Sequence, residues 1–216
     1  MVVLRSVPTC AGCTQPMGVA MNTDTQIAVV ANYGTNNVSS VSMVSGAAGG
    51  GEAVLVDQQP IAIGVDYVDD VALASTTYPP AAFDFIDLAT VTLAGRISGV
   101  TGPAASVYDP VSSQFLAAES DSNRIDVIDP LTEVLTTIRA GIDPTSIDYN
   151  PQTGTVVTVN PSSDTVSVVD YQGQQVVYAL GLGGSPMFSV AIDPSTNIGV
   201  LADLNNNRVL LVPLPQ

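Results

Sequence analysis

Cys10-Ala11-Gly12-Cys13 is the first stretch whose residue types could do chemistry. A c-type haem attachment needs His after the second Cys, and Thr14 stands there. A structural zinc site takes four Cys or His ligands, whereas the chain holds two Cys and no His. A thioredoxin-like redox pair belongs in a βαβ setting, which the pattern lacks. Two readings stay open. One is a local disulfide that ties a loop, which suits an exported protein. The other is a pair of quiet thiols, because so short a loop strains disulfide geometry.

A second set is Asn32, Thr76, Glu119, Asn160 and Asp203. Gathered on one face, two acids, two amides and a hydroxyl could bind a cation such as calcium or a polar small molecule. Side chains of these types also bond neighbouring loop backbone at strand ends. Glu119 and Asp203 form a carboxylate pair of the kind that glycoside hydrolysis uses. The chain offers no His for base work near neutral pH, and no catalytic residue is assigned.

The elements that place this set follow a ruler. Asn150 lies six residues after Pro144, Asn160 ten after that, and Asp170 ten further on. Pro103, Asp109, Glu119 and Asp129 keep the same spacing. Pro60, Asp66 and Thr76 keep it too, with Asp87 one residue late. Pro16, Asn22 and Asn32 fit, and so do Pro186, Asp193 and Asp203 with one extra residue. The result is five copies of about 43 residues, a period in the range of propeller blades.

Each copy reads as four short strands. Asn150-Pro151, Asp109-Pro110 and Asp193-Pro194 open turns, since Asx side chains bond their own backbone and Pro presets φ. Thr155 to Val159 is a β-branched run, and Thr165 to Asp170 alternates. Val176 to Leu180 completes the copy as a fourth strand. First strands are rich in Gly, Ala and Ser, as crowding near a narrow axis requires. Gly46 to Gly51 reads as a slack turn between strands, without the GK[ST] of a phosphate cradle. Thr76-Thr77-Tyr78-Pro79-Pro80 reads as a stiff turn.

Val2 to Val7 looks like a fourth strand that arrives before any first strand, while the last copy ends at its third, Val209 to Val212. Closing a ring would remove both edges. The expectation is an all-β, five-bladed β-propeller of four-stranded antiparallel blades. It forms a single domain, 1–216, with blades at about 16–57, 58–101, 102–142, 143–184 and 185–216 plus 1–7. The N-terminal strand completes the last blade.

The run Val157-Thr158-Val159-Asn160, followed by Asp164-Thr165-Val166-Ser167-Val168-Val169-Asp170, resembles the YVTN-type β-propeller repeat, a relative of the NHL repeat. Copy one matches at Val29-Val30-Ala31-Asn32, and copy five at Leu201-Ala202-Asp203. Copy three departs at Glu119 and copy two at Thr76. The resemblance implies an extracellular or surface-layer scaffold.

Twenty acids face five basic residues, for a net charge of −15. Nucleic acid and anionic membranes are repelled, and the acidity keeps a 46% hydrophobic chain in solution. No run reaches the length of a membrane span. The expected role is a non-catalytic binding or scaffold module of an exported bacterial protein, extracellular or at the cell surface, with the periplasm as the alternative. Its partner would be a protein, a glycan or a small polar ligand at the axial face, with no cofactor apart from calcium. The alternative is a glycosidase-like hydrolase using the paired carboxylates.

Overall fold

A computed structural model of the chain describes all residues except 1–6, 45–47, 172, 174, 184–186 and 216. The protein is all-β. Among the described residues no helix is long and apolar enough to cross a membrane, and the only helical segments are single 3-10 turns at Tyr33–Thr35 and Pro161–Ser163.

Contacts divide the chain into two compact units, Met1–Val100 and Thr101–Gln216. The first unit holds two antiparallel sheets of four strands. One is β1 (Pro16–Asn22), β2 (Ile27–Asn32), β3 (Asn37–Ser42) and β4 (Ala48–Leu55). The other is β5 (Pro60–Asp66), β6 (Val71–Thr76), β7 (Ala82–Asp87) and β8 (Thr92–Ser98). The second unit holds three sheets. The first is β9 (Pro103–Asp109), β10 (Gln114–Glu119), β11 (Arg124–Ile128) and β12 (Leu135–Arg139). The next is β13 (Ser146–Asn150), β14 (Thr155–Asn160), β15 (Thr165–Asp170) and β16 (Gln175–Gly181). The last has three strands among the described residues: β17 (Met187–Asp193), β18 (Ile198–Asp203) and β19 (Arg208–Pro213). Strands run in sequence order in every sheet, and each sheet falls inside one predicted repeat. The expected closing strand, Val2 to Val7, lies outside the described residues but for Val7, and among the described residues no closed sheet is present.

The glycine-rich stretch departs from expectation. Ala48–Gly51 falls within β4 instead of forming a slack turn, with Ala48 opposite Val41 of β3 and a register shift between Ser39 and Val41, while residues 45–47 lie outside the described set. A β-strand tolerates small residues where its partner supplies the hydrogen bonds, so composition misled here.

The turns are built by the residues at the ends of the first strands. Asn22, Asp66, Asp109, Asn150 and Asp193 each accept backbone N–H groups from two to three residues on, at 2.8–3.2 Å. The residue closing each turn is left-handed: Gln26, Asp70, Ser113, Gly154 and Asn197 all have φ between 54° and 68°. A side-chain cap followed by a left-handed residue reverses the chain and sets the hairpin register.

Sheets stack face to face inside each unit. Val29, Ala31 and Val38 pack on Ile63, Val65, Ala72 and Ile86 in the first unit. In the second, Leu116, Ala118 and Ile125 pack on Ile147, Tyr149 and Val156. Val157, Val159 and Val166 then pack on Val190, Leu201 and Val212. First strands of consecutive sheets lie against one another, β1 on β5, and β9 on β13 on β17. A Cβ on Gly18 would stand 2.7 Å from the Ile61 carbonyl oxygen, so this approach of β1 to β5 admits glycine only. Ser146 Oγ and Asp148 Oδ2 accept the N–H groups of Val190 and Ile192, joining β13 to β17.

Candidate functional site

The five residues read as a candidate set all end the second strand of their sheet, and all are buried. Four pair across a four-residue loop with a third-strand residue five positions on: Asn32 with Asn37, Glu119 with Arg124, Asn160 with Thr165, and Asp203 with Arg208. Thr76 pairs with Ala82 because its loop is one residue longer.

In the first unit, Asn32 Nδ2 donates to Asn37 Oδ1 and Ser39 Oγ, both at 2.9 Å, and its Oδ1 accepts from Thr9 at 2.9 Å. Thr76 Oγ1 donates to the Ala82 carbonyl at 3.1 Å and accepts the Ala82 N–H at 3.0 Å. In that sheet the acid sits on the third strand instead. Buried Asp84 accepts from Arg96 and from the Asp57 N–H.

The second unit brings three variants of the same end. Asn160 is saturated. Its Oδ1 accepts from Thr158 at 3.0 Å, while its Nδ2 donates to Ser167 Oγ at 3.0 Å and to the Thr165 carbonyl at 3.2 Å. Ser167 Oγ also accepts the Gly141 N–H at 3.1 Å. A Cβ on Gly141 would stand 2.5 Å from Asn160 Nδ2. Asp203 is held by Arg208 Nε at 2.8 Å and by Asn206 Nδ2 at 3.0 and 3.1 Å.

Glu119 differs. Its Oε2 accepts the Thr101 N–H at 2.7 Å and lies 3.8 Å from Arg124 Nη2. Its Oε1 is buried and has no partner. Arg124 is committed to Asp126, with Nε to Oδ1 at 2.7 Å. One guanidinium therefore serves two buried carboxylates. Desolvation pushes Glu119 up to about 7, with Asp126 adding to it, while the Thr101 N–H and Arg124 oppose. Burial also raises Asp126, against the hydrogen bond and charge of Arg124.

Arg124, Asp126, Ser39, Ser167 and Arg208 were not singled out from the sequence. The signal was there: a polar residue follows the second-strand end at position five in four of the five copies, and at position seven in three of them. Beside Asp203, Phe188, Leu204 and Val209 line an open groove. Among the described residues, no three of Cys, His, Asp and Glu cluster as a metal site. Cys10 and Cys13 are joined in a disulfide, with Cα atoms 5.2 Å apart.

At the opposite strand ends, Asn22 Nδ2 donates to Asp70 Oδ1 at 2.6 Å, and Asn150 Nδ2 to Asn197 Oδ1 at 2.7 Å. Turn-capping residues thus also staple one sheet to the next. Tyr171 donates to Asp109, which Ser112 also engages. Burial and that acid push the Tyr171 hydroxyl up to about 12.

No protein-family model matches the chain, and no curated protein matches its sequence. Solved structures do match its fold. A Kuenenia stuttgartiensis hydrazine synthase chain superposes with a TM-score of 0.79 at 17% identity, covering 100% of this chain and 70% of that one. A functionally unknown protein from Desulfotomaculum acetoxidans gives 0.71 at 13% identity, covering 92% and 69%. The β-propeller domain of Myceliophteria thermophila Cps50 (Swd1) gives 0.77 at 10% identity, covering 94% and 67%. At such identities the likeness concerns the fold, which is propeller-like.

Proposed function

We propose that the five sheets are blades of a propeller-type, non-catalytic binding or scaffold module, and that its partner meets the loops between second and third strands. The observation that carries this reading is the burial of the strand-end residues. Asn32, Thr76, Glu119, Asn160 and Asp203 are each at most 2% exposed and are bonded to the hairpins and loops around them. They position loops and leave recognition to what those loops present. Tyr78 is half exposed in one of them, and Leu204 is exposed in another, next to Asn205-Asn206-Asn207. An aromatic ring and amides suit a glycan or a protein surface.

The hydrolase alternative asks Glu119 and Asp203 to meet a substrate, and their burial speaks against it. Placement outside the cytoplasm is supported by the Cys10–Cys13 disulfide. A glycan array probed with wild type, Tyr78→Ala and Leu204→Ser tests the reading, and calorimetric titration with calcium tests the cation. Binding lost in the loop variants and kept in Glu119→Gln is the expected result. Polysaccharide turnover abolished by Glu119→Gln would overturn it.

A further inference from the structure

Within each unit, consecutive sheets meet in one way. The forward face of one sheet, which carries the second residue of its third strand, packs on the back face of the next, which carries the first-strand residue paired with the fourth residue of the second strand. On the forward side Val38, Ile125 and Val166 are each at most 2% exposed. On the back side Ile63, Ile147 and Val190 are 5–7% exposed. Two faces break this pattern.

On the last sheet the equivalent forward residue is Val209, which is 61% exposed, with Leu211 on the same strand at 64%. On the first sheet the equivalent back-face residue is Val19, at 68%, flanked by Met17 at 64%. Both are apolar, both are built to the register of a sheet–sheet junction, and nothing among the described residues covers either. Contiguous apolar patches of this kind mark interaction sites. The β-propeller domain that the chain resembles is matched over only 67% of its length by these five sheets.

We propose that the occupant is a second copy of this chain, associating head to tail. The back face of the first sheet of one copy, with Met17 and Val19, covers the forward face of the last sheet of the other, with Val209 and Leu211. Each copy carries one of each face, so the contact is heterologous. The two copies each carry −15, so added salt strengthens the contact by screening repulsion.

Sedimentation velocity across a concentration series, at low and high salt, tests this with three proteins. These are the wild type, Leu211→Lys to block the forward face, and Val19→Lys to block the back face. Circular dichroism confirms folding, which exposed positions should preserve. The wild type is expected to exceed monomer mass, more so in high salt, and each variant alone to remain a monomer. Mixing the two variants should restore a species of twice the monomer mass and nothing larger, since each retains one open face. A wild type that stays monomeric at every concentration and salt overturns the proposal by itself, without the variants. So does association unchanged by either substitution, or a mixture that stays monomeric.

Discussion

Asn160 and Glu119 hold the same place in neighbouring sheets of one unit, and they solve it differently. The amide has both a donor and an acceptor, so Thr158, Thr165 and Ser167 satisfy it completely within its own sheet. The carboxylate is acceptor-only when ionised, so it needs donors on both oxygens and finds them on one. Its cross-strand Arg124 is shared with Asp126. A buried polar group with its bonds made is nearly neutral in cost, and an unsatisfied charge is not. One position is thereby a staple in one sheet and a titratable weak point in the next.

The largest effect should come from removing the shared cation. Arg124→Met leaves two buried carboxylates without a counter-charge and should destabilise by about 3–4 kcal/mol at neutral pH. Urea unfolding measures the loss, which should shrink in acid as Glu119 and Asp126 take up protons. A loss independent of pH would mean that packing of the Arg stem matters more than its charge.

Glu119→Gln should act in the opposite direction. The folded-state value of about 7 lies above the ordinary 4.5, so the folded state holds its proton more tightly than the unfolded chain. Wild-type stability should therefore fall as pH rises from the ordinary carboxylate range through about 7, by up to about 3 kcal/mol. The Gln variant should lack that decline and be the more stable protein above neutrality. Parallel pH profiles for the two would remove the distinction drawn between Glu119 and Asn160.

Asn160→Ala removes a saturated hub and leaves Ser167 and Thr158 short of a partner, for about 2 kcal/mol with no pH dependence. Ser167→Ala deletes one spoke, the acceptor of the Gly141 N–H, and should cost about 1 kcal/mol. Thermal melts rank the two, and Ser167→Ala exceeding Asn160→Ala would mean that the serine is the true centre of the network.

Much of this architecture was legible in advance. The Asx-Pro turns and β-branched runs placed β13 to β15 nearly residue for residue, because hairpin chemistry is local and the side-chain period is two. The start of β4 at Ala48–Gly51 was missed because a glycine run carries the composition of a turn, and its place in the strand follows from Ala48 meeting Val41 of β3. The strand-end set was found as a set, but its burial was not foreseen. Asn and Asp are common at exposed turns, and their spacing does not say whether a neighbouring sheet closes over them.

Chain order, repeat length and turn positions were determined by the sequence alone, since each rests on residues within a few positions of one another. Tertiary structure decided which strand-end groups find partners and which apolar faces find cover. Both depend on one sheet's approach to the next, where a single close contact, such as Gly141 against Asn160, admits or forbids a hydrogen bond. The same approach gives Val38 a covering sheet and leaves Val209, its equivalent, without one.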